Sequence, residues 1–199
     1  LFEQKFPDRH INIGISEQDM VDTAAGLALA GKLPVACSFA VFLTGIGWQQ
    51  IRNAICYPNL NVKLVGSHVG IQVGEDGATH QALEDIAIMR VIPNMKVFCP
   101  ADAVETKKML PKVLEDYGPA YIRLGRQPVA EIYDEKYEFH IGKGSILMDG
   151  DYVGIIATGS LVSSAFSAAQ RLQKEGISVR VVNMSTIKPI DVALVEETA

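Results

Sequence analysis

Cysteine is scarce in this chain of 199 residues, and Cys37, Cys56 and Cys99 lie far apart without a C-x-x-C spacing. An odd, scattered set of three argues against a disulfide framework or a cysteine zinc site. It is typical of reduced intracellular proteins, so we expect a cytoplasmic location. A surplus of basic residues is also missing, because 18 lysines and arginines stand against 23 acidic residues. We therefore expect no nucleic-acid partner, since nucleic-acid binders usually carry a basic patch.

Long apolar runs are absent as well. No run approaches the ~20 residues that span a bilayer, so no membrane partner is expected. The first residues are neither basic nor continuously apolar, which argues against a signal peptide. The chain begins at Leu1 without a methionine and ends at Ala199 inside a helical pattern. These ends indicate a fragment or a natural split subunit.

Hydrophobic residues make up 48% of the chain, enough for a substantial core. Apolar runs alternate with helical patterns, which is typical of an α/β fold with a parallel sheet. The predicted strands cover residues 11–13, 35–39, 62–65, 95–98, 120–124, 152–157 and 179–183. The predicted helices lie between them, the first with Ser16 as its capping residue and another spanning Trp48 to Ile55. Further helices are predicted around Leu83–Met89, after Asp102, and over Ser160–Lys174.

The alternating pattern breaks from Gln127 to His140, where a proline, charges and tyrosines suggest a linker. We therefore divide the chain into a first domain at 1–128, a linker at 129–140, and the beginning of a second, smaller α/β domain at 141–199. The second domain is expected to be incomplete.

Two short stretches place chemistry at the ends of predicted strands. Gly14–Gln18 puts Glu17 at the start of a helix, where α/β sheets bind their ligands. The alternative is that Glu17 only complements the helix dipole. Ser38–Phe42 carries Phe39 and Phe42 three residues apart, a spacing that suits the side of a flat heterocycle, although aromatic residues are more often simply part of the core.

Two later stretches are richer in polar groups. Gly66–Gln81 holds two histidines, two acids and four glycines, and the glycines permit positive φ angles. Its polar groups can converge on a small hydroxylated ligand. The alternatives are a metal site and a loop that is merely solvated, and the density of titratable groups favours a functional loop. Arg126, in Arg123–Gln127, suits bidentate binding of a phosphate. The sequence supports equally well that it is an arginine of the surface or the linker without such a role.

Together these stretches resemble the transketolases over nearly the whole chain. Phe6–Arg9 leads to Gly14–Gln18 as in the approach to the catalytic glutamate of that family. Val73–Gln81 is similar to the transketolase substrate loop, and Ile92–Met95 and Pro100–Asp102 follow in the family's order. The resemblance implies a parallel-sheet domain that binds the pyrimidine of thiamine diphosphate, followed by the start of the family's C-terminal domain.

The resemblance implies a cofactor role for three residues. Glu17 is implied to be the catalytic acid at N1′ of the aminopyrimidine, buried so that it can share a proton. Phe39 and Phe42 are implied to pack against that ring. Gly45 stands where some family members carry a third aromatic residue, and Trp48 is the candidate to replace it.

Four residues are implied to contact a sugar phosphate. Asp76 and His80 take the hydroxyls of the donor, with His80 as a second catalytic residue, while His68 and Arg126 hold the phosphate. No metal ligands are expected in this chain, because the Gly-Asp-Gly and following Asn that hold a diphosphate-bound ion are missing. Mg²⁺ (or Ca²⁺) and the diphosphate are therefore expected to be held by a complementary subunit or domain.

The implied activity is transfer of a two-carbon ketol unit between sugar phosphates, in a homodimer or heterotetramer serving pentose phosphate metabolism. A 1-deoxyxylulose-5-phosphate synthase is the first alternative, although Arg-Ala-Gly is then expected at Ser67–Val69. The beta subunit of a 2-oxo acid dehydrogenase should lack the pairing of Asp76 with His80. A non-catalytic subunit that keeps only the fold is disfavoured by the retained polar residues.

Overall fold

The computed structural model describes residues 1–199 and contains two β-sheets. The first sheet is built from β1 (Val35–Phe39), β2 (Lys63–Ser67), β3 (Lys96–Phe98) and β4 (Ala120–Arg123) in the order β1-β2-β4-β3. All of its neighbouring pairs among these four strands are parallel. The α/β class with a parallel sheet, predicted from the sequence, is therefore confirmed.

The second sheet lies in the C-terminal part of the chain. It contains β5 (Ser145–Met148), β6 (Val153–Ala157) and β7 (Val179–Asn183) in the order β5-β7-β6. β6 and β7 are parallel, whereas β5 is antiparallel to β7. The following strand, β8 (Thr186–Lys188), returns to the first sheet and pairs antiparallel with β3. The C-terminal part of the chain thus adds one strand to the first sheet, which the order of the predicted elements does not suggest.

Eight α-helices accompany the strands. They are α1 (Phe2–Lys5), α2 (Glu17–Leu29), α3 (Ala40–Gly45), α4 (Trp48–Gln50), α5 (Asp85–Arg90), α6 (Ala103–Glu115), α7 (Leu161–Lys174) and α8 (Val192–Thr198). A π-helical turn at Ile51–Cys56 continues α4, and 3-10 turns lie at Pro7–Arg9, Ile71–Val73 and Ala78–His80. No helix is both long enough and apolar enough to cross a membrane.

Several local predictions need correction. Residues 11–13 form no strand, because no neighbouring segment supplies a hydrogen-bonding ladder, and Ile11 is exposed. Ser16 is the N-cap of α2, but its side chain makes no capping hydrogen bond. The segment after Trp48 is π-helical from Ile51 rather than one regular helix. The helix expected at Leu83 begins at Asp85, which leaves Leu83 exposed.

The start of α6 matches its sequence signature. The Glu105 amide donates to Asp102 Oδ1 over 2.7 Å, which caps the helix. The Glu105 carboxylate in turn accepts from the Ala101 amide. This carboxylate is fully buried and also accepts from Asn183 of β7 and the Tyr137 hydroxyl, so α6 is joined to the second sheet by polar contacts.

The main core lies between the first sheet and the helices that flank it. Val21 of α2, Leu43 of α3 and Met89 of α5 are fully buried against Leu64 of β2. A second cluster packs α6 against the other face of the sheet, through Met109 and Phe98. Both faces of the sheet are therefore covered, as parallel sheets require.

Candidate functional site

The candidate site lies at the carboxyl edge of the first sheet. Because β1, β2 and β4 are parallel, their last residues Phe39, Ser67 and Arg123 meet at the same edge. Helix α2 runs back along the sheet, so that its first residue, Glu17, reaches this edge as well. The Ser38 hydroxyl donates to Glu17 Oε1 over 2.9 Å. Two of the predicted stretches, separated by 21 positions, are thus brought together.

Glu17 is half-buried in this chain, whereas the resemblance implies a buried acid. Its Oε1 atom is oriented by Ser38, which is the residue next to Phe39. Sequence reasoning included Ser38 in its motif but assigned it no role. A carboxylate whose position is set by a hydroxyl partner is able to hold or share a proton with a neighbouring ring nitrogen.

Four rings form an aromatic cluster beside Glu17. Phe39 lies nearly parallel to Phe42, with centroids 6.1 Å apart, and also to His68, at 3.9 Å. His80 stands edge-on to Phe42 at 5.2 Å and to Phe39 at 6.1 Å. The structure therefore joins the two expected ring-packing residues and the two expected substrate histidines in one cluster.

His68 occupies an unusual backbone conformation. Its φ angle is 58°, in the left-handed region that non-glycine residues seldom adopt. Its Nδ1 atom lies 3.0 Å from the Ser67 hydroxyl. Such conformations persist where the surroundings hold them, and they cluster at ligand sites. The ring is thereby directed across the end of β1 onto Phe39.

The loop that follows β2 is closed at its base. Val69 and Ala82 form an isolated β-bridge, and the Gly70 amide donates to the Ala82 carbonyl over 2.9 Å. Between these points Gly70, Gly74 and Gly77 have φ angles of 68°, 80° and 76°, which other residues rarely adopt. We call residues 69–82 the substrate loop below. Its glycines allow it to carry Asp76 and His80 back over the sheet edge.

Arg126 bridges the end of β4 and the substrate loop. Its Nη1 atom donates to the Val73 carbonyl over 2.6 Å and to Asp76 Oδ2 over 2.8 Å. Its Nη2 atom lies 3.6 Å from Glu75 Oε1. About a third of each of the Arg126 and Asp76 side chains is exposed, so both remain accessible. Arg126 and Asp76, which are expected to bind a phosphate and a sugar hydroxyl, thus form an ion pair with each other in this structure.

Trp48, the candidate to replace the missing third aromatic residue, is anchored to α5 and to the main core. Its indole donates to the Ile88 carbonyl over 3.0 Å, and its ring packs against the main core. This hydrogen bond and the core contacts fix the position of the indole, and its place in the pocket wall stays a prediction. A Cβ atom placed on Gly45 meets no other atom within 4 Å, so the space beside this glycine is open.

The sequence analysis missed one buried group below the site. Asp85 is fully buried at the start of α5 and accepts from the Tyr121 hydroxyl and from Arg123 Nε. No motif includes it, because its partners come from a strand more than thirty positions away. No three histidine, cysteine, aspartate or glutamate side chains cluster closely enough to hold a metal ion.

Comparison with protein families gives two matches. A family model described as "Transketolase, pyrimidine binding domain" matches residues 1–131. A model of the transketolase C-terminal domain matches residues 142–199. Together they cover nearly the whole chain, in the order that the sequence resemblance implies.

Individual relatives agree with these matches. A putative transketolase C-terminal section of Methanocaldococcus jannaschii is 48% identical over 200 residues, covering 100% of this chain and 63% of the relative. A 6-deoxy-6-sulfo-D-fructose transketolase subunit of Clostridium is 43% identical, covering 96% of this chain and 59% of the relative.

A solved structure titled "Split gene transketolase, inactive beta4 tetramer" superimposes with a TM-score of 0.93 at 48% identity. The match covers 100% of this chain and 63% of that chain. This chain thus spans less than two thirds of the length of the relatives it matches.

Proposed function

This chain belongs to the transketolase family, and from that premise we propose that it supplies the pyrimidine pocket and the sugar-phosphate contacts of a thiamine-diphosphate-dependent transketolase. The reaction is transfer of a two-carbon ketol unit from a ketose phosphate to an aldose phosphate. The observation that carries the proposal is the convergence of Glu17, the aromatic cluster and Arg126 at one edge of the first sheet.

The residues present suit the pyrimidine half of the cofactor. A carboxylate oriented by Ser38 offers an acceptor or a shared proton for a ring nitrogen, and the Phe39 and Phe42 rings offer flat apolar faces. When bound, thiamine diphosphate would supply the electron sink that ketol transfer requires. Glu17 holds the proton at N1′ of the aminopyrimidine, and Ser38 keeps the carboxylate aimed there.

Other residues at the same edge of the sheet suit a phosphorylated sugar. Arg126 provides a guanidinium that can bind phosphate oxygens through two N–H groups at once. His68 lies on Phe39 and can donate a ring N–H to the same phosphate. Asp76 and His80, on the substrate loop, bind donor hydroxyls, and His80 also holds a proton at the reacting sugar oxygen.

The diphosphate and its Mg²⁺ (or Ca²⁺) are assigned to a complementary subunit or domain. This assignment is supported by the length of the relatives and by their names, since several similar proteins are described as sections or subunits of a transketolase. A heterotetramer of two such chains with two partners, or a homodimer of longer chains, brings both halves of the site together. The division at residues 128 and 140 and a cytoplasmic location belong to the same proposal.

Reconstitution tests the proposed function. The chain is titrated with thiamine diphosphate and Mg²⁺ alone and then with the complementary diphosphate-binding chain, and ketol transfer from fructose 6-phosphate is measured. We expect weak cofactor binding and no turnover alone, and tight binding with turnover in the mixture. Full turnover by the isolated chain contradicts the split site. An inactive complex that still binds cofactor contradicts the catalytic role.

A further inference from the structure

A buried trio of side chains lies directly beneath the substrate loop and takes no part in the proposed chemistry. Asp85 Oδ2 accepts from the Tyr121 hydroxyl over 2.8 Å and from Arg123 Nε over 2.7 Å. The Asp85 and Arg123 side chains are 1% and 16% exposed. We infer that Arg123, held by Asp85 and Tyr121, is a positioning residue that fixes the substrate loop on the sheet. The inference rests on the function proposed for that loop.

The guanidinium of Arg123 reaches the two points where the loop closes. Its Nη2 atom lies 3.5 Å from the Ala82 carbonyl, the same oxygen that accepts from the Gly70 amide. A Cβ atom built on Gly70 would lie 3.7 Å from this Nη2 atom, so the incoming end of the loop passes close to Arg123 as well. The Arg123 guanidinium therefore lies beside both ends of the loop, Gly70 and Ala82, whereas Asp85 follows the second end in sequence.

The trio also ties the loop to the strands that bear the site. Arg123 is the last residue of β4, the strand that leads to Arg126, and Tyr121 lies two positions earlier. Tyr121 packs against β2, because a Cβ atom on Gly66 would lie 2.5 Å from its hydroxyl oxygen. A change at the trio is thus transmitted to the start of the loop at β2 and to its end at Ala82.

Stability alone is a poor explanation for this arrangement. A buried ion pair is often no more stabilising than apolar residues of the same shape, while loss of one partner is strongly destabilising. The second Asp85 oxygen, Oδ1, is buried without a hydrogen-bond partner, so both side-chain hydrogen bonds of this carboxylate are made by Oδ2. The buried Asp85–Arg123 pair is better explained by the direction of its hydrogen bonds, which fix the Arg123 guanidinium and with it the position of the substrate loop.

Two variants and a matched control test the inference. Arg123→Met and Asp85→Asn each remove one side of the pair. Arg180→Met is the control, because Arg180 is also 16% exposed and paired, with Asp149 and Glu197, but lies in the second sheet. Amide hydrogen exchange of the chain is followed by mass spectrometry. Should Arg123→Met fail to fold, Arg123→Lys retains the charge towards Asp85 but loses the second arm towards Ala82.

The expected result is that exchange in residues 69–82 of both variants speeds up at least tenfold more than exchange in α6, while the loop of Arg180→Met exchanges as in the unaltered chain. Unchanged exchange in the loop overturns the inference, whatever the kinetics. In the reconstituted enzyme, KM for fructose 6-phosphate should rise about tenfold, while C2-proton exchange of bound thiamine diphosphate stays constant. Faster loop exchange without a KM effect supports the positioning role but contradicts the proposed substrate function of the loop.

Discussion

Arg126 donates from Nη1 to Oδ2 of Asp76 over 2.8 Å, so that two residues 50 positions apart, both proposed to contact the donor, are bound to each other. Both side chains are partly exposed, and pairs of this kind are typically worth only about 0–1 kcal/mol. A phosphate and a sugar hydroxyl can therefore replace the pair at little cost. The pair keeps both groups oriented towards the same space before the donor arrives.

Replacing Arg126 with alanine should separate phosphorylated from unphosphorylated donors. Loss of a hydrogen bond to a charged group costs about 1.5–3 kcal/mol, so KM for fructose 6-phosphate should rise roughly 10- to 100-fold. KM for hydroxypyruvate should change by no more than about threefold. Glu75→Gln is the control, because its contact with Arg126 is long and its side chain is 88% exposed. Equal losses for both donors would show that Arg126 does not bind the phosphate.

Glu17→Gln keeps the size of the side chain but removes its ionisable proton. If Glu17 holds the proton at N1′, C2-proton exchange of the bound cofactor should slow by the ~10²–10⁴-fold typical of losing a positioned acid–base group. Ser38→Ala removes only the hydroxyl that orients Glu17 and should slow exchange by about tenfold or less. A helix-dipole role predicts a loss of about 0.3–1 kcal/mol in stability with C2 exchange unchanged. Deuterium exchange measured by NMR distinguishes the two.

Phe39 and Phe42 should differ in their effects on the donor, because only Phe39 is stacked on His68. Aromatic pairs are worth about 0.5–1.5 kcal/mol beyond their buried area. Phe39→Leu should therefore raise KM for fructose 6-phosphate, relative to hydroxypyruvate, by roughly 2- to 10-fold. Phe42→Leu should leave that ratio unchanged while weakening cofactor binding. If only Phe42→Leu shifted the KM ratio, Phe42 and not Phe39 would be the residue that supports His68.

Lys63 makes the stability of the chain depend on pH. Burial, together with the nearby Lys96 ammonium, lowers the pKa of Lys63 to about 8, from about 10.4 in unfolded chains. Between these values Lys63 binds more protons in the unfolded chain, so its own contribution to the free energy of unfolding should rise with pH. The thiols of Cys37, Cys56 and Cys99, whose pKa values burial raises, contribute in the opposite direction. At about 1.4 kcal/mol per pKa unit the rise is at most about 3 kcal/mol.

Urea unfolding at pH 7.5 and pH 10 measures this contribution. Lys63→Met is the matched variant, since it keeps most of the length of the side chain but cannot titrate. The change in the free energy of unfolding from pH 7.5 to pH 10 should be less positive in the variant than in the unaltered chain, although the variant also loses the bonds to the Asp116 and Gly118 carbonyls. Identical pH dependence in the two proteins would contradict the lowered pKa.

Local features were determined by the sequence itself. The strands at Val35–Phe39 and Val179–Asn183 have the predicted bounds, and Asp102 caps α6 as its spacing indicates. Apolar runs, side-chain period and cap chemistry act over a few neighbouring residues, so a single chain reveals them. The family resemblance rests on equally local motifs and is confirmed by the matches to residues 1–131 and 142–199.

Long-range pairing was decided only by the tertiary structure. The return of β8 to the first sheet, the pairing of Asp85 with Arg123, and the hydrogen bond of Trp48 to Ile88 each join segments remote in sequence. A strand at residues 11–13 is possible by propensity but finds no ladder in this chain. Directional hydrogen bonds and close packing depend on which surfaces meet, and that is settled when the whole chain buries its core, beyond what any local pattern specifies.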